Sequence, residues 1–190
     1  FTGCGKDENE PATIINTNND GVTTFNNGLL SQQVNALPNE PLSPDETESI
    51  LLMREEEKMA RDAYIIFYQK WKQPIFTNIS KAEQTHMDAV LLLVNKYNLT
   101  DPVGTNPVGI FINSDIQTLY NDFITQGNQS YIEALKAGAA IEEVDIRDLQ
   151  NLLNNDDINN QDIELVYSNL LKGSRNHLRS FVKVLNNQGT

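Results

Sequence analysis

Apolar residues recur along most of this chain in alternating steps of three and four, the spacing of one face of a helix. From Ser43 to about Trp71 the stripe reads Ile50, Met53, Glu57, Ala60, Tyr64, Phe67, Trp71. Ser43-Pro44-Asp45-Glu46 opens it with a capping Ser, Pro at the first helical position and Glu at the third. A second helix is predicted from about Asn78 to Asn98, with Ile79, Glu83, His86, Val90, Leu93 and Tyr97 on its stripe. A Gly/Pro-rich crossover runs on through Gly109, and Ser114 caps a shorter helix broken at Gly127. Ser130 begins a third long helix, in which Glu142 points into a cluster of Ala139, Ile146, Leu149 and Leu153. The fourth runs from near Asn160 to about Leu185 and carries Ile163, Val166, Tyr167, Leu170, Ser174, His177, Phe181 and Val184. Strand-like alternation is absent from this pattern, which predicts an all-α chain. The Asn/Thr/Gly/Pro-rich stretch before Ser43 reads as a linker with a short helical piece near Gly28–Ala36. The division is thus 1–42 as tail and linker and 43–190 as the helical domain.

The polar interruptions of these stripes carry the chemistry. Glu57, Glu83, His86, Glu142 and His177 all fall where apolar residues belong, and the two histidines are the chain's whole complement. Glu83-Gln84-Thr85-His86 sets a carboxylate and an imidazole side by side on one helix face. Each element alone is a weak signal: a lone His in a core usually bonds a carbonyl or hydroxyl. Three carboxylates facing one another in a core cannot all stay ionised, however, and a divalent cation removes that conflict. Carboxylate plus imidazole suits iron or manganese better than structural zinc. Glu55, next to the stripe, reads as solvated. The formal charge of −12, from 26 acids against 14 Lys and Arg, argues against a nucleic-acid binder. Phosphate loops, nucleophile elbows and Cys-x-x-Cys pairs are missing, and a single cysteine excludes an internal disulfide.

Glu57-x-x-Ala60-x-x-x-Tyr64, Glu83-x-x-His86 and Glu142 resemble the ligand pattern of the ferritin-like superfamily, of the ferritin and rubrerythrin type. The run from Ser43 to Leu185 looks closest to a bacterial and archaeal ferritin-like domain family of unknown function, through Arg54–Asp62, Ile141–Ile146 and Gly173–Leu178. The resemblance implies an up-down-down-up four-helix bundle with a long crossover and an extra short helix. It also implies a centre of one or two iron or manganese ions that oxidises ferrous iron or reduces peroxide or dioxygen. There Glu142 or Glu57 would bridge the metals, and His86 and His177 would each bind one. One departure stands out: Ser174 occupies the place of the fourth helix's carboxylate, so Asp145, Glu143 or a hydroxide would have to replace it. Tyr64 reads either as an electron donor or as a core Tyr bonded to a helix neighbour.

Phe1-Thr2-Gly3-Cys4 resembles a bacterial lipobox, and the charged run Lys6–Glu10 resembles the tether of some surface-exported lipoproteins. That reading expects a cell-envelope protein held to the membrane only through a lipidated Cys4, partnered by metal ions, and leaves room for a homodimer. The rival is a non-enzymatic surface lipoprotein, a binding or scaffold module whose degenerate site holds one metal or none.

Overall fold

The computed structural model describes residues 13–18 and 22–189; Cys4 and Lys6–Glu10 lie outside them. Six helices dominate: α1 (Asn27–Ala36), α2 (Pro44–Trp71), α3 (Pro74–Lys96), α4 (Ser114–Gly127), α5 (Tyr131–Leu153) and α6 (Gln161–Asn187). The all-α expectation holds, and the local signals at α2 act as predicted. Ser43 Oγ accepts from Glu46 N while Glu46 Oε2 accepts from Ser43 N, a closed capping box. Glu46 Oε1 also accepts the Asn159 and Asn160 amides at the start of α6, so α2 and α6 begin at the same end. At the other end Trp71 Nε1 and Lys70 Nζ donate to the carbonyls of Gly127 and Asn128, just ahead of α5. Hence α3 and α5 run together, opposite to α2 and α6. The order is up-down-down-up, with residues 97–130 as the long crossover.

Several boundaries differ from the sequence pattern. Pro74 opens α3, ahead of the expected start near Asn78, because a first-turn proline lacks only an amide that would be unbonded anyway. Lys72, in the left-handed conformation at φ 54°, turns the chain between them. Asn113, not Ser114, caps α4, its Oδ1 accepting from the Asp115 and Ile116 amides. Strands are present as well: β1 (Ile15–Thr17) and β2 (Thr23–Phe25) pair antiparallel, with Ile15 opposite Phe25. At three residues each they are too short to show alternation. The expected linker is therefore partly core, for Phe25, Leu30 and Val34 are buried against the bundle.

The largest difference concerns α2, which is buried all round from Met53 to Ala60, charged residues included. The crossover wraps it. Arg54 forks onto Asp101 at 3.0 and 3.1 Å, Lys58 donates to Pro107 O, and Asp62 accepts from Gly109 N. Glu55, expected in solvent, is 3% exposed and accepts the Ile112 and Asn113 amides at the entrance to α4. Those amides precede a helix N-terminus, where an anion is favoured and a bare N–H is costly. Glu55→Ala is accordingly expected to lower unfolding free energy by about 1–3 kcal/mol in urea titrations while leaving metal uptake unchanged. Among the described residues, no helix is long and apolar enough to cross a membrane.

Candidate metal centre

All five residues singled out in the sequence meet in one place, each at most 2% exposed. They form a continuous chain across four helices. Glu57 Oε2 lies 3.3 Å from His86 Nδ1, which lies 2.8 Å from Glu83 Oε2. The other oxygen of Glu83 lies 2.8 Å from His177 Nδ1, itself 3.7 Å from Glu142 Oε2. Glu83 is therefore the residue between the two histidines. The imidazoles stack, 5.1 Å between centroids and 16° between planes.

The alignment of these atoms is informative. His177 Nδ1 and Glu83 Oε1 stand 2.8 Å apart, yet among the described residues neither makes a hydrogen bond of acceptable geometry. Glu57 Oε1 is likewise buried without a partner. Native cores rarely leave buried polar atoms so. Lone pairs that converge on a point beside one another, instead of on each other, are the arrangement of neighbouring ligands. With bonds of about 2.1 Å at right angles, such atoms stand about 3 Å apart. Glu83, His86 and His177 each bring one ligand atom within 4.8 Å of the others. The donor set and the orphaned atoms both fit a divalent cation.

Charge within this core is finely divided. Burial would raise the Glu83 carboxyl, but the His177 and His86 imidazoliums overcome it and hold it well below the usual carboxylate range. Burial also works against the imidazoliums; facing carboxylates nevertheless raise His86 well above its ordinary value and His177 to about 9. Glu57 and Glu142, chiefly through burial, rise to about 7. Each raised group stabilises the fold below its unfolded pKa and loses that contribution as pH climbs through its folded one. Metal-free protein is therefore expected to melt progressively earlier as pH rises, through Glu57 and Glu142 between 4.5 and about 7 and through His177 between 6.5 and about 9. Glu83 acts oppositely, and only on the acid side. A bound cation takes the place of the imidazolium protons, so metal-induced stabilisation should grow over the same range; calorimetry with and without Mn²⁺ checks both trends.

Residues around the chain fix its members. Tyr64 OH donates to Glu142 Oε1 at 2.7 Å and lies 3.2 Å from Gly138 O, so the hydroxyl touches the cluster itself. The amide and the carbonyl of Thr23, in β2, lie 3.2 and 3.1 Å from His177 Nε2. When Nε2–H donates to that carbonyl, Nδ1 is left with its lone pair toward Glu83 and Glu142. The Phe25 ring covers His86 at 4.5 Å. Gly173, on α6, makes room for that imidazole: a Cβ there would stand 2.6 Å from Nε2 and Cε1. Gly173→Ala is expected to displace His86, costing about 1–3 kcal/mol in chemical denaturation and abolishing the metal-induced shift in melting temperature. A glycine inside an otherwise helical pattern was the one visible sequence signal for this contact. Thr23 offered none, since it acts through its backbone.

The alternatives for the carboxylate missing at Ser174 separate cleanly. Glu143 is exposed, whereas Asp145 is buried and faces Glu57, Glu142 and the Ser174 hydroxyl. Ser174 Oγ also donates to Leu170 O, one turn back in its own helix.

Fold and site together define an all-α bundle with a candidate metal centre sealed inside it. The chain belongs to the family described as "Uncharacterized protein domain (DUF2202)", whose model matches residues 46–190 and so contains all five site residues but not the hairpin. It is 50% identical over 159 residues to the protein MJ0754 of Methanocaldococcus jannaschii, covering 84% of this chain and 85% of that one. The crystal structure of MJ0754 resembles it with a TM-score of 0.78 and 51% identity, over 81% of this chain and 87% of the other.

Proposed function

We propose that this protein is a ferritin-like metal protein whose Glu57, Glu83, His86, Glu142 and His177 hold one or two iron or manganese ions, and that it oxidises ferrous iron or reduces peroxide or dioxygen. The observation that carries the reading is the unbroken Glu57–His86–Glu83–His177–Glu142 chain with its unpartnered ligand atoms. A bound redox metal would supply the one-electron chemistry. The chain's own residues do the rest. Thr23 holds the His177 tautomer, Tyr64 holds one oxygen of Glu142, and Phe25 with β2 excludes water from the histidines.

The second reading is a single ion without turnover. Ser174 and the tight grouping of Glu83, His86 and His177 favour it, because the grouping fits one cation. Elemental analysis after reconstitution with ferrous or manganous salt, followed by ferrous oxidation under air and under peroxide, separates the two. Metal at one to two ions per chain with accelerated oxidation supports the first; one ion without acceleration supports the second; no metal overturns both. The same proposal keeps Cys4 as the lipid anchor to the cell envelope, tested by loss of detergent-phase partitioning of the full-length protein in Cys4→Ala.

A further inference from the structure

Of three carboxylates beside the centre, Glu56 and Asp148 have no role above, and Asp145 only that of replacing the carboxylate missing at Ser174. Glu56, on α2, faces Asp148 and Glu57; Asp145, on α5, faces Glu56 as well as Glu57. Glu56 and Asp145 are 5% and 8% exposed, and Glu56 Oε2 and Asp145 Oδ1 have no hydrogen-bond partner among the described residues. Asp148 is the outermost, its side chain 24% exposed and held by Arg147 through Nε–Oδ1 and Nη2–Oδ2 contacts of 2.9 and 3.0 Å. Arg147 itself is mostly in solvent. The three acids thus descend along the seam between α2 and α5 from the surface to Glu57.

Burial, with the neighbouring carboxylates, raises both Glu56 and Asp145 well above the usual carboxylate range, and a cation between them would restore the charged forms and occupy the unpartnered oxygens. Burial against apolar neighbours alone would not retain them. Oxygen donors without a nitrogen or sulfur among them suit a hard divalent cation. The centre needs such a route, since its five ligands are all enclosed and the hairpin closes the seam between α3 and α6.

We infer that Glu56, Asp145 and Asp148 form a second cation site, a transit position through which a divalent metal passes between solvent and the buried centre. The inference rests on the metal reading above. Metal-free protein is mixed rapidly with Co²⁺ alone, and loading is followed by the visible absorption of the bound ion. Glu56→Gln and Asp148→Asn are each expected to slow loading on the order of tenfold, the scale of electrostatic focusing in a charged cleft. Final stoichiometry and half-saturation should stay at the wild-type values. Asp122→Asn, on the exposed face of α4, should load at the wild-type rate. Asp148→Asn lies at the rim and tests the route even where Glu56→Gln disturbs the core. Unchanged loading rates in both variants overturn the transit site while leaving the metal centre standing. A lower stoichiometry at unchanged rate overturns it too, making Glu56 a ligand of the centre. Wild-type protein that takes up no cobalt overturns the metal reading and the route with it.

Discussion

His86→Ala is expected to erase the metal-induced rise in melting temperature. Wild-type protein at a hundredfold excess of Mn²⁺ over its dissociation constant gains about 2.7 kcal/mol by mass action. For a domain of this size that is about 5–10 °C. His86 Nδ1 touches both Glu57 and Glu83, so its loss removes one ligand and disorganises two others. The metal-free variant should also be weaker than metal-free wild type, by about 3–5 kcal/mol. Its imidazolium is the charge that lies between those carboxylates, and removing one partner of a buried pair strands the other. Differential scanning calorimetry on both proteins, with and without Mn²⁺, reads all four values. A shift surviving in the variant would remove His86 from the ligand set.

Lys58→Ala should produce the largest purely structural loss. Lys58 and Asp62 form an ion pair one turn apart in α2, and both side chains are fully buried. The ammonium also donates to Pro107 O and sits 4.5 Å above the Phe111 ring, so a single side chain pins the crossover to α2 at two points. Arg61 and the Gly109 amide remain for Asp62, which keeps the loss within the usual range for a broken buried pair, about 3–5 kcal/mol. The urea midpoint should fall by about 1–2 M, and proteolysis in the crossover should accelerate. Metal stoichiometry should not change, because the Lys58 ammonium is bonded to Asp62 and Pro107 O, neither of them a site residue. A variant that melts like wild type would show that the other ties, from Arg54, Glu55 and Asp62, hold the crossover without Lys58.

How far the sequence could be read depended on the range of the physics involved. Stripes, caps and the identity of the inward-facing acids are local properties, and Glu57, Glu83, His86, Glu142 and His177 were legible from periodicity alone. The stripe on α5 was centred imperfectly: Ala139, Ile146 and Leu153 are only half-buried, while Leu135, Gly138 and Ile141 face inward. That rotation is why Asp145 and Glu143 could not be told apart. Glu55 looked solvated because the loop that covers it comes some fifty residues later in the chain. Thr23 and Phe25 lie in strands too short to leave a pattern, within composition typical of a linker. Gly138 makes room in the same way as Gly173, since a Cβ there would stand 2.6 Å from the Phe181 ring.

The hairpin sets an order of assembly. Thr23 reaches His177 across 154 positions of chain, and Phe25 reaches Thr85 across 60. During synthesis β2 leaves the ribosome well before either partner, and it cannot seat until α6 has been made and packed. Contacts of such separation are expected to close late, after the local helical pairs α2–α3 and α5–α6 have formed. The two imidazoles are therefore expected to come together in a bundle that is still open on one side, with β2, made before α3 and α6, closing over them last.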